Sequence, residues 1–154
     1  MSELLSPEPV ARAFPASTRG AGIAGVGAAV PARAVSNAPL AERLGVTDRW
    51  IVARTGVRER RVADPSETLV DYAVAAGRRA LADAGVGAEE VDLVLVATMS
   101  HERLAPIAAA PVASGLGATA AGAMDLDAAC SGVVSGLGMA AGMVEAGRAE
   151  SVLV

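Results

Sequence analysis

Lysine is absent from the 154 residues, and cysteine, histidine, tryptophan, tyrosine and phenylalanine occur once each. A single cysteine excludes an intramolecular disulfide. With only one histidine there is no Cys/His cluster of metal-ligand spacing, and a reducing compartment is the natural setting. Aromatic residues make up 2% of a chain that is 53% hydrophobic. Any core must therefore be built from Ala, Val, Leu and Ile, with many glycine contacts. Such cores favour the close backbone approach of layered α/β folds. All 13 basic residues are arginine, which reflects base composition more than function, and 17 acidic residues outweigh them. A net charge of -4 and a pI near 5.0 argue against nucleic acid as a partner.

Other absences bear on location. The first residues, MSELLSPEPVARAFPASTRG, lack a basic segment followed by an apolar one, so no secretory signal is expected. Three prolines among mixed polar residues read instead as a disordered extension over 1–20, with the ordered domain at 21–154. The longest low-charge stretch, 104–124, is interrupted by proline and glycine, which makes it a poor membrane span. The expected location is cytoplasmic, with no membrane partner.

What is present alternates between two patterns. Residues 22–30 (GIAGVGAAV) read as a buried strand closed by Pro31. Asn37 is a candidate cap for a short helix ending at Gly45. Thr47 or Asp48 is placed to cap a second, ending at Gly56. Residues 57–63 form a charged strand or extended arm. Thr68 opens a helix in which Leu69, Tyr72, Ala73, Ala76, Ala80 and Ala84 recur every three or four residues before Gly85. The run 91–99 reads as a strand covered on both sides. Residues 105–117 read as a short helix begun by Pro106, with Pro111 bending it or delaying its start. Residues 121–128 form another strand. Residues 131–149 form a helix almost without charge, expected to be buried on nearly all sides. ESVLV (150–154) begins a last strand, and ending there suggests a truncated domain. Helical crossovers between apolar strands imply a layered α/β domain with a largely parallel sheet.

Cys130 lies where a strand turns into that last helix. A helix N-terminus favours a thiolate, and small neighbours suit a tight turn that leaves room for an acyl group. The competing reading is a buried structural cysteine in an Ala/Gly-rich segment. His101, in the polar loop MSHER, is either a base for Cys130 or an ordinary loop histidine. Arg54, Arg58, Arg60 and Arg61 either hold phosphates or form a solvated face paired with Glu59 and Asp64.

The segment TDRWIVARTGVRER (47–60) resembles the D-x-W-I-x-x-R-T-G-I-x-x-R signature of β-ketoacyl-acyl-carrier-protein synthase III. Asp48, Trp50, Ile51, Arg54, Thr55, Gly56 and Arg60 match, and Val57 stands for Ile. Three further segments follow in family order: Glu67-Thr68, VDLVLVATMS (91–100) and MDLDAACSG (124–132). The resemblance runs from about residue 21 to 154, the N-terminal half of such a protein. It implies a thiolase-like fold whose first half is a mostly parallel five-stranded sheet with a buried central helix. It also implies a homodimer. The implied activity is that of an acyltransferase in fatty-acid or polyketide biosynthesis. Acyl-CoA acylates Cys130, and decarboxylative condensation with malonyl-acyl carrier protein follows. Coenzyme A thioester is then a substrate, with no cofactor or metal required. Acyl-CoA, the acyl carrier protein and a complementary C-terminal half or second copy are the expected partners. Trp50 is implied to stack on the adenine of coenzyme A, and Arg54 to line the mouth near its phosphates.

Departures from the family pattern qualify this. The family's catalytic His and Asn, and a glycine completing an oxyanion hole, fall beyond Val154. His101 does not align with that histidine. Condensation by this chain alone is therefore not expected. Asp127 is acidic where a small or neutral residue is common, and if buried would oppose a thiolate. Ala105 replaces an aromatic that often narrows the acyl pocket. Two alternatives stand beside the leading reading: acyl transfer without decarboxylation, and a non-catalytic binding or dimerisation module in which Cys130 is inert.

Overall fold

A computed structural model describes residues 19–101 and 105–154; most of the expected 1–20 extension lies outside the described residues. Two sheets organise the chain. The first is an antiparallel pair, β1 (Ala34–Ser36) with β2 (Glu59–Arg61), in register Ala34↔Arg61 and Ser36↔Glu59. Between these strands the chain inserts two short helices, α1 (Ala38–Leu44) and α2 (Asp48–Thr55). Both stop at glycines with left-handed backbone, Gly45 (φ 64°) and Gly56 (φ 72°), as the sequence led us to expect. The Thr47 hydroxyl accepts from the Trp50 N–H and starts α2.

The second sheet is parallel, with β3 (Leu93–Ala97) central between β4 (Gly122–Leu126) and β5 (Val152–Leu153). Long helix α3 (Leu69–Ala84) precedes it, opened by a reciprocal cap. The Thr68 hydroxyl accepts from the Asp71 N–H, and the Asp71 carboxylate accepts from the Thr68 N–H and hydroxyl. The Thr68 side chain, then its N–H, hold the Asp71 carboxyl below the usual carboxylate range. Helices α4 (Ala109–Leu116) and α5 (Gly132–Glu145) cross between β3 and β4 and between β4 and β5. The core gathers Val91, Val94, Val112 and Ala113 under α3. Gly77 lets α3 close on its neighbours: a Cβ there would sit 3.1 Å from the Leu116 side chain and 3.2 Å from that of Leu153.

Two expectations change and one alternative is decided. Residues 22–30 form no strand. They run along α3, pinned where the Asp83 carboxylate accepts from the Val26 N–H. An apolar run specifies a strand only when a sheet edge is there to receive its hydrogen bonds, and here it lies on a helix. The parallel sheet accordingly has three strands among the described residues. Of the two placements open for α4, the structure takes the delayed one: it starts at Ala109, its N-terminus held from β4, where the Asp125 carboxylate accepts from the N–H groups of Ala108 and Ala109 at 2.8 and 2.7 Å. Pro111 then sits in the first turn, where its lack of an N–H costs nothing. Finally, α5 is not buried on nearly all sides. Only its small residues Gly132, Gly136 and Ala140 are buried, while Val133 and Val134 are 61% and 74% exposed.

Candidate active site

The turn between β4 and α5 is built from small residues under backbone strain. After Leu126 the chain passes Ala128 (φ -135°, ψ 31°) and reaches Ala129 at φ 47°. Ala129 is the one non-glycine residue with positive φ among those described. This conformation costs an L-residue about 1–2 kcal/mol and is the kind of outlier that collects at functional sites. A single 3-10 turn (Ala129–Ser131) follows, closed by the Ser131 hydroxyl and N–H, which both donate to the Ala128 carbonyl. The helix then begins at Gly132. A Cβ on Gly132 would lie 3.0 Å from the Ala97 Cβ, so glycine lets α5 start against the end of β3.

Cys130 is held in this turn with its thiol exposed and free. It is presented at the N-terminus of α5, where no side chain caps the helix and the first turn holds no acidic residue. The buried structural cysteine of the alternative reading is therefore not what the fold contains. The thiol lies at the N-terminal end of a 14-residue helix, open to solvent. Asp127 is exposed, not buried against the thiol, so solvent screens its charge. Ala105 is exposed at the turn before α4.

The other candidates fall elsewhere. His101 donates from Nε2 to the Pro106 carbonyl at 3.2 Å, a loop contact and not a bond to the thiol. Trp50 and Arg54 meet on α2, one turn apart. Trp50 is 44% exposed, and the Arg54 guanidinium carbon lies 4.2 Å from its ring centroid. The arrangement is a cation–π stack that presents a flat, positively charged platform to solvent. The arginine cluster divides. Arg54 stacks on Trp50, Arg60 donates to the Asn37 side chain, and Arg61 pairs with Glu59 at 3.2 Å. The self-paired reading thus holds for Arg61 but not for Arg54.

Sequence reasoning missed two supporting residues. Asp125, five residues before Cys130, ties β4 to α4. Asn37 is completely buried and bonds Asp48, Val57 and Arg60 rather than capping its own helix. No local signal distinguishes a cap from a long-range clamp, because both roles select the same small polar residues.

Comparison with known proteins places this geometry. A family model described as 3-oxoacyl-[acyl-carrier-protein (ACP)] synthase III matches residues 124–154, which contain β4, the strained turn and α5. The chain is 47% identical over 133 residues to a β-ketoacyl-[acyl-carrier-protein] synthase III from Roseiflexus castenholzii, covering 86% of this chain and 40% of that protein. It superposes on the priming β-ketosynthase of the R1128 polyketide biosynthetic pathway with a TM-score of 0.79 and 45% identity, over 82% of this chain and 38% of that one. The synthase III of Thermus thermophilus gives a TM-score of 0.79 and 42% identity, over 86% and 41%. The chain therefore spans about 40% of the length of the curated relatives it matches. Over that span it is similar to β-ketoacyl-[acyl-carrier-protein] synthase III proteins, with the α/β architecture of the first half of a thiolase-like fold.

Proposed function

We propose that this chain carries the acyl-accepting half of a β-ketoacyl-acyl-carrier-protein synthase III-type enzyme, with Cys130 as the nucleophile. The observation that carries the reading is the exposed Cys130 on a strained turn at the uncapped N-terminus of α5. The thiolate attacks the carbonyl carbon of an acyl-CoA. The tetrahedral adduct collapses, the C–S bond to coenzyme A breaks, and coenzyme A leaves as a thiolate that takes up a proton. In the condensing step, a malonyl unit on the acyl carrier protein loses carbon dioxide. Its carbanion attacks the acyl carbon, and the Cys130 thiolate is released. That step requires donors for the developing enolate; by family resemblance these are a His and an Asn beyond Val154.

The Trp50–Arg54 platform supports a nucleotide contact. Arg54 covers one face of the indole, so an adenine stacks on the other, with the guanidinium free to meet phosphate oxygens. Coenzyme A enters as substrate, and no cofactor takes part. The exposed apolar residues Val133, Val134 and Leu137 on α5 support a covering surface from a complementary half or a second copy. No helix among the described residues is long and apolar enough to cross a membrane.

The test is incubation of the chain, alone and with a candidate C-terminal half, with radiolabelled acyl-CoA. We expect label on Cys130 that Cys130→Ala abolishes. Absence of label in both preparations would leave the non-catalytic module as the better reading. Label that turns over without carbon dioxide release, in the presence of malonyl-acyl carrier protein, would favour simple acyl transfer.

A further inference from the structure

The platform on α2 must be held at a fixed angle to be useful, yet α2 is only eight residues long. A helix this short is marginal by itself and takes its orientation from tertiary contacts. One side chain supplies several. Asn37 is completely buried at the junction of β1 and α1. Its Nδ2 donates to the Asp48 carboxylate, at the first residue of α2, and to the Val57 carbonyl, just past the Gly56 stop, both at 2.8 Å. Its Oδ1 accepts from Arg60 Nη1 on β2 at 2.9 Å. A single amide thus grips α2 near both ends and fastens it to the hairpin.

We propose that Asn37 is a positioning residue for the Trp50–Arg54 platform and, through it, sets the affinity for the adenine-nucleotide end of coenzyme A. This second clause rests on the function proposed above. Only an amide satisfies the constellation, because it needs two donors and one acceptor on one short, neutral side chain. A carboxylate keeps the bond from Arg60 but faces Asp48 and the Val57 carbonyl with no hydrogen to offer. A methyl group offers none of the three bonds. The other side-chain hydrogen bonds of α2, the Thr47 cap and the Thr55 hydroxyl on the Ile51 carbonyl, are internal to it, and the buried Ile51 adds apolar packing that fixes no hydrogen-bond geometry.

Trp50 is the single tryptophan, so its fluorescence reads the platform directly. Coenzyme A is titrated against that emission, acrylamide quenching measures the exposure of Trp50, and Cys130 is alkylated with iodoacetamide as a reference. For Asn37→Ala and Asn37→Asp we expect stronger acrylamide quenching and a coenzyme A dissociation constant raised about tenfold, the equivalent of one lost hydrogen bond. The Cys130 alkylation rate should move far less. The exchange Asn37→Asp with Asp48→Asn restores a donor facing a carboxylate and should recover part of the affinity. Unchanged quenching and affinity in both single variants would overturn the proposal, as would a parallel change in Cys130 alkylation, the mark of a general structural role. Stronger quenching without detectable coenzyme A binding by the parent chain would uphold the clamp and overturn the nucleotide reading on which the second clause rests.

Discussion

At the scale of single residues, backbone and charge are placed by a few short side chains. Ala129 accepts a left-handed backbone so that Cys130 can turn out of the sheet and still lead into α5. Asp92 does comparable work at the other edge. Its carboxylate accepts from the N–H groups of Glu150 and Ser151, fastening the approach to β5 beside β3. Those bonds, Glu150 first, hold the Asp92 carboxyl below the usual range. A depressed folded pKa stabilises the fold above the unfolded pKa, and the contribution is lost as pH falls through the folded value. Asp92→Asn should therefore lower the thermal midpoint at pH 7. The gap to the parent should narrow as pH falls below the ordinary carboxylate range and close once pH has passed through the depressed folded value, where the parent carboxyl is also neutral. Thermal melts across that range check this; a gap of constant size would show that charge plays no part.

Among elements, the sequence indicated most of the helices and where they stop. Thr47, Thr68, Gly45, Gly56 and Gly85 carry start and stop signals that act within one turn, and the structure uses each. The sequence offers two starts for α4 and does not choose between them, because the anchor, Asp125, comes from the following strand. Ala108 and Ala109 are fully buried, so their N–H groups have no water to turn to. Asp125→Ala should cost about 2 kcal/mol or more, read as a fall in denaturant midpoint. It should also speed iodoacetamide modification of Cys130 unevenly, as β4 loosens before the turn. Asp125→Asn, which retains one acceptor, should cost less. The strand expected over 22–30 failed for a related reason: alternation and apolarity describe a residue's faces, but not which neighbour receives its backbone.

For the whole molecule, the balance between a stable fold and an incomplete surface is visible on α5. Its buried stripe of Gly132, Gly136 and Ala140 meets the sheet, and its larger residues face outward. Sequence alone implied burial on all sides because composition does not record which covering surface is present. Val134→Glu should leave the melting temperature of this chain within about 0.5 kcal/mol of equivalent stability, as for other exposed substitutions. The same change should sharply reduce acyl labelling of Cys130 that depends on a complementary half. Equal labelling of parent and variant would mean that this face is not the joint.

The ordered motifs indicated the resemblance to the synthase III family, the α/β class and the candidate nucleophile. Each is a local pattern, a few residues whose spacing is set by one turn of helix or one strand end. Only the tertiary structure decided that Cys130 is exposed on strained backbone, that Arg54 stacks on Trp50, that Asn37 fastens α2 and that Asp125 ties β4 to α4. The contacts of Asn37 and Asp125 are hydrogen bonds between residues 11 to 23 positions apart. A side chain's reach across space leaves no periodic trace along the chain, so folding alone assigns its partner.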